Sequence, residues 1–208
     1  MAKKITKPKT KIKIAKKTFD VVIVGKGGQG LITLLEILAK AARIEGYDVK
    51  TSELHGLAQR GGSVEVHVKF GKIVHSPLVA RAKAEAVIGL EMIECLEAAY
   101  FADVNTWFLI DKNIIPIPGT NPILAQDIVK DLQKFTKKIE VVEAREICAK
   151  ELGTSVVSGI FLISCGAFKN IIPIKPESIL AAIKVVVAPK YLDINVKTFE
   201  LARKISQE

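Results

Sequence analysis

The residues whose types and spacing could do chemistry lie in two short stretches. The first holds Gly25, Gly27, Gly28, Gln29 and Gly30, in the run VVIVGKGGQG. Gly25, Gly27 and Gly30 fit G-x-G-x-x-G, the spacing with which a backbone turn cradles a phosphate. Glycine tolerates positive φ and lets a ligand approach the main chain. A helix opening just after such a turn adds unpaired N–H groups and the positive end of its dipole. The three-glycine pattern alone has low specificity; Gly28 and Gln29 make this version unusual. The second stretch, ELHGLAQRGGS, holds Glu53, His55, Gln59, Arg60, Gly61 and Gly62. Glu53 ends a predicted second strand, where a dinucleotide-binding fold places its ribose acid. Arg60 offers a planar fork of donors to a carboxylate or phosphate, and Gly61 and Gly62 allow close backbone approach. A lone loop histidine such as His55 is more often structural than a ligand. His67 is expected to alternate outward on a strand, and neither it nor His75 makes a metal spacing with His55, so no metal is expected. There is no G-x-S-x-G elbow and no Walker ending, and no catalytic residue is assigned.

The elements that must position these residues follow from periodicity. Val21 to Val24 is a short apolar run, the mark of a strand buried on both faces. Leu31, Leu34, Leu35, Leu38, Ala41 and Ala42 recur at helical spacing, and Gly46 reads as the helix end. Tyr47 to Ser52 is a second strand. Val64, Val66, Val68 and Phe70 alternate with Glu65, His67 and Lys69, giving a strand with one wetter face. Gly71-Lys72 reads as a turn into a return strand at Ile73-Val74, ended by Pro77. Further strands are expected at Ala86–Leu90, Trp107–Ile110 and Ile139–Val142. Helices are expected at Glu91–Ala102, with Ile93, Leu96 and Tyr100 on one face, and from Asn121-Pro122 onward, with Ile123, Ile128, Leu132 and Phe135. Ala144–Leu152, Val156–Asn170, Pro176–Val187 and Tyr191–Lys204 complete the set. Strands alternating with helices predict an α/β fold, a Rossmann-like three-layer sandwich with a mainly parallel sheet and a helical C-terminal part.

Composition narrows the function classes. Eight lysines precede the first acid, Asp20, and account for eight of the nine excess positive charges, so the remainder is nearly neutral. Residues 1–18 therefore read as a basic solvated arm, and 19–208 as a single domain. Nucleic acid is not an expected partner, since the basicity belongs to the arm. No apolar h-region follows the lysines. Val156–Phe168, the longest uncharged apolar stretch, is short of the ~18 residues of a membrane span, so no membrane partner is expected. Three widely spaced cysteines without a C-x-x-C point to a reducing compartment. They are too few for an iron–sulfur cluster held by this chain alone, which needs about four thiolates. A stand-alone NAD or FAD protein using Gly25, Gly27, Gly30 and Glu53 is one reading, although no substrate domain follows the sheet.

GKGGQG at Gly25–Gly30, ELHGLAQRGGSVEVHVKFG at Glu53–Gly71 and HSPL at His75–Leu78 resemble the gamma subunit, or gamma domain, of the 2-oxoacid:ferredoxin oxidoreductases. HGLAQRGG resembles the arylpyruvate branch, the small subunit of the indolepyruvate enzymes, more than the pyruvate or 2-oxoglutarate branches; a gamma subunit of a pyruvate, 2-oxoisovalerate or 2-oxoglutarate enzyme is the alternative. The likeness runs from about Phe19 to the C-terminus; the lysine-rich arm is not part of the family pattern. The resemblance implies a cytoplasmic, non-catalytic subunit of a complex that decarboxylates a 2-oxoacid, passes electrons to ferredoxin and releases an acyl-CoA. It implies that thiamine diphosphate and the iron–sulfur clusters belong to a large partner subunit, with CoA as co-substrate. Both glycine-bearing stretches are then the expected surface toward the active site or CoA. Self-association of the isolated chain is left open.

Overall fold

The computed structural model describes residues 18–56, 58, 61–117 and 119–207. The lysine arm, Gln59 and Arg60 lie outside the described residues. The first strand, β1 (Thr18–Lys26), leads into α1 (Leu31–Ile44), β2 (Asp48–His55) and β3 (Ser63–Gly71). Then come β4 (Ala86–Gly89), α2 (Met92–Ala98), β5 (Trp107–Asp111), α3 (Ala125–Leu132), β6 (Ile139–Val142) and α4 (Ala144–Leu152). Three helices end the chain: α5 (Ser158–Phe168), α6 (Pro176–Val186) and α7 (Pro189–Gln207).

The six strands form one sheet in the order β2-β3-β1-β4-β5-β6. β1, β4, β5 and β6 run parallel, and β3 lies antiparallel between β1 and β2. Val21, Val22 and Ile23 have no exposed surface, as a strand covered on both faces requires. Val21 and Ile23 face a layer built from α1 and α4 to α7. Val22 and Val24 face a smaller layer with Met92, Cys95, Phe108, Ile128 and Leu132. Each fully buried aliphatic side chain contributes roughly 1.5–3 kcal/mol, so β1, packed from both sides, anchors the molecule. α5 is apolar around its circumference and buried along nearly its whole length.

Several expectations change. The antiparallel element is not a return strand at Ile73-Val74; residues 72–77 are non-strand. β3 already has β1 on one side and β2 on the other, so it has no free edge to offer. Val74 N–H instead donates to Asp48 Oδ2 at 2.8 Å. His67 is buried, not outward. Its Nδ1 accepts Val79 N–H at 3.0 Å, its Nε2 donates to Glu65 Oε1 at 2.8 Å, and the Phe101 ring packs edge-on against it. Val79 and Phe101 return over the face that alternation alone marks as wet. α2 ends at Ala98 and a short 3₁₀ turn, Ala99–Phe101, follows. The buried residues of α2 are Met92, Glu94, Cys95 and Ala98, and Tyr100 is exposed. α3 starts at Ala125 rather than at Asn121-Pro122, leaving Ile123 and Phe135 exposed while Ile128 and Leu132 are buried.

Candidate functional site

Parallel sheets bind ligands in the crevice outside the carboxyl ends of their strands, where successive connections leave to opposite faces. Here that place is between β1 and β4. The chain leaves β1 toward α1 on the larger layer, and leaves β4 toward α2 on the smaller one. The glycine turn sits at this point.

Within the turn, Gly28 (φ 99°) and Gly30 (φ 80°) take left-handed conformations open to glycine. Gly30 caps α1 without a side-chain hydrogen bond, and no acid lies in the first helical turn. The geometry of a helix start leaves the N–H groups of Leu31, Ile32 and Thr33 without intrahelical acceptors. The turn can therefore receive an anion. Gln29 is folded under it rather than aimed outward. Its Oε1 accepts Lys26 N–H at 2.7 Å and its Nε2 donates to Leu90 O at 3.3 Å. Gly25 is what makes room for this amide, since a Cβ there would lie 2.5 Å from Gln29 Oε1.

The second stretch meets the first through the backbone. The β1–β3 ladder ends at Lys26↔Ser63, and the next residues continue it. Gly27 N–H donates to Gly62 O at 2.8 Å, and Gly61 N–H donates to Gly27 O at 3.2 Å. Gly61 has φ 71°, and a Cβ on Gly62 would fall 2.2 Å from Ala58 O. Two motifs far apart in sequence thus form one double turn. Glu53 and His55 are exposed at the far end of β2. With β3 inserted, β2 is two strand spacings from β1, about 10 Å rather than the ~4.8 Å of an adjacent strand. That separation removes Glu53 from the ribose position of a dinucleotide fold, in which β2 lies beside β1.

Side chains that periodicity did not single out complete the site. Glu94 lies beneath the double turn, bonded to Lys26 Nζ and Ser63 Oγ. Asn113 Nδ2 donates to Leu90 O at 3.0 Å, the same carbonyl that Gln29 holds. Asp111, at the end of β5, accepts Arg145 N–H at 3.2 Å. Burial pushes its carboxyl up to about 6, against the lowering effect of the Arg145 N–H and guanidinium. Exposed apolar side chains lie on two loops. Ile115, Ile117, Ile123 and Leu124 are exposed on the loop after β5, and Val156 is exposed before α5. A cleft of about 710 Å³ opens beside Gly30, lined by Thr33, Val157, Ile160, Val187 and Tyr191 among others.

The chemistry available is that of binding. Burial raises the thiols of Cys95, Cys148 and Cys165, so none is a ready thiolate. Among the described residues no three His, Cys, Asp or Glu side chains are placed to hold a metal. Among them, too, no helix is long and apolar enough to cross a membrane.

A model of the family described as pyruvate ferredoxin/flavodoxin oxidoreductase matches residues 20–205. The chain is 34% identical over 187 residues to the indolepyruvate oxidoreductase subunit IorB of Archaeoglobus fulgidus, covering 88% of this chain and 92% of that one. It is 33% identical over 202 residues to the subunit of the same name from Thermococcus kodakarensis, covering 92% and 98%. Among solved structures, the pyruvate oxidoreductase subunit PORC of Thermotoga maritima superposes with a TM-score of 0.69 at 19% identity, covering 91% of this chain and 97% of that one. That likeness bears on the fold.

Proposed function

This chain belongs to the pyruvate ferredoxin/flavodoxin oxidoreductase family, and from that premise we propose that it is the small, non-catalytic subunit of an indolepyruvate or related arylpyruvate:ferredoxin oxidoreductase. The observation that carries the reading is the match to indolepyruvate subunits at 34% and 33% identity over about nine-tenths of the chain. The reaction decarboxylates the 2-oxoacid oxidatively, forms an acyl-CoA and passes electrons to ferredoxin. Thiamine diphosphate and the iron–sulfur clusters reside on the large partner subunit, in the cytoplasm.

Three widely spaced cysteines support this division of labour, because a cluster is held by about four thiolates. The double glycine turn, with Gly25, Gly27, Gly28, Gln29, Gly30, Gly61 and Gly62, is the part of the chain that faces the partner's active site and the CoA phosphates. Its left-handed glycines and uncapped helix start favour an anion. Arg60 is assigned the positive fork, with Glu53, His55 and Gln59 in the same sequence stretch. The exposed apolar side chains of the loop after β5 suit burial against a protein rather than water.

The test is co-expression with the thiamine-binding subunit. A tag on this chain should recover a brown complex that prefers indolepyruvate to pyruvate by kcat/KM. Recovery of the tagged chain alone would sink the proposal. In the complex, Arg60→Ala should impair CoA use while leaving the fold intact, and unchanged kinetics would remove Arg60 from the site.

A further inference from the structure

The start of α2 carries two buried acids. Glu91 is 0% exposed and Glu94 5%. Glu91 Oε2 accepts Glu94 N–H and its Oε1 accepts Ile115 N–H, both at 2.9 Å. Glu94 reaches the opposite way. One of its oxygens is paired with Lys26 Nζ and the other accepts the Ser63 hydroxyl. Lys26 is the residue before Gly27, and Ser63 is the residue after Gly62. They are also the final rung of the β1–β3 ladder. A single carboxylate therefore joins the two strand ends from which both glycine turns leave.

We propose that Glu94 is a positioning residue that holds the double glycine turn in register, with Glu91 tying the apolar loop at Ile115 to the same point. The glycines cannot hold that register themselves. They have no side chains, and among the described residues two hydrogen bonds, between Gly27 and Gly61-Gly62, link the turns beyond Lys26↔Ser63. A buried carboxylate with both oxygens engaged has one geometry, and moving it would leave a charge without its partner. The inference rests on the reading of the turns as facing CoA for its kinetic consequence, but not for its structural one.

The experiment has two parts. Amide hydrogen exchange is measured on the isolated chain for wild type, Glu94→Gln and Ser63→Ala, and KM for CoA and kcat are measured in the complex. Losing a hydrogen bond to Glu94 should speed exchange at Gly27, Gln29 and Gly61 by about tenfold, with α6 unchanged. KM for CoA should rise by about the same factor with kcat within about twofold. Ser63→Ala removes one hydroxyl and no charge, so it carries the test should Glu94→Gln fail to fold. Unchanged exchange at the turns, or faster exchange throughout the chain, would overturn the inference. Faster local exchange with an unchanged KM would leave the positioning role standing and overturn the reading of the turns as CoA-facing.

Discussion

Substituting Gly25 by alanine tests how the first glycine turn is built. Gly25 has an ordinary strand conformation, so the effect is not one of backbone strain. The added methyl would lie 2.5 Å from Gln29 Oε1 and 3.1 Å from Leu90 Cβ. The glutamine amide is the movable group and must leave, taking two hydrogen bonds with it. Leu90 O keeps Asn113 Nδ2 at 3.0 Å, so the loss falls on Lys26 N–H. A net hydrogen bond is worth about 1 kcal/mol and an orphaned buried donor costs about 1–3 kcal/mol. Alanine returns about 0.5 kcal/mol through the unfolded chain, which leaves a destabilisation of about 2 kcal/mol. For a domain of this size that is a fall of about 4–8 °C in Tm. Gln29→Ala removes the same two bonds, so the double variant should fall short of the sum by about 1–2 kcal/mol. Gly28→Ala is the control. Its φ is 99° and nothing lies within 4 Å of the new Cβ, so it should cost about 1–2 kcal/mol from backbone strain alone, uncoupled to Gln29. Urea unfolding of the four variants and wild type gives these numbers. A Gly25→Ala protein as stable as wild type, or an additive double variant, would refute the reasoning.

Other perturbations follow from the same contacts. His67→Leu leaves the buried Val79 N–H without its acceptor and should lower stability by about 1–3 kcal/mol in urea unfolding. The raised carboxyl of Asp111 has a defined sign: between about pH 4 and 6 the folded state holds a proton that the unfolded chain has released. Its contribution therefore improves as pH falls through about 6, and the stability of wild type relative to Asp111→Asn should rise between pH 7 and pH 4. A pH-independent difference between the two would contradict this. Cys95, Cys148 and Cys165 are buried and their thiols raised, so a disulfide reagent should label them only on unfolding; rapid labelling of the native chain would count against it.

The strand–turn–helix at the start of the chain was legible because its signals are local. The run Val21–Val24 reports burial on both faces, and Gly30 and Gly46 mark the two ends of α1. Gly153 likewise ends α4 where expected. What escaped depends on contacts between distant segments. Alternation around His67 describes a strand face correctly but cannot say that Val79 and Phe101 cover that face. The insertion of β3 between β1 and β2 has no local signature, although it decides that Glu53 is too far from β1 for a ribose acid. The glycine stretches were visible as motifs, whereas their meeting through Gly27 and Gly62 is a consequence of strand register. Glu91 and Glu94 belong to no motif in the sequence. The available hint was position: an acid between a buried strand and a helix start is placed to cap that helix, as Glu91 does.

The central claim is that this chain positions and does not react. Viologen reduction with indolepyruvate and CoA should be measured for the chain alone, for the thiamine-binding subunit alone and for the two together. A colourless, inactive chain and full activity only in the mixture are expected. Turnover by the chain alone, or micromolar binding of NAD, NADP or FAD to it, would contradict the account.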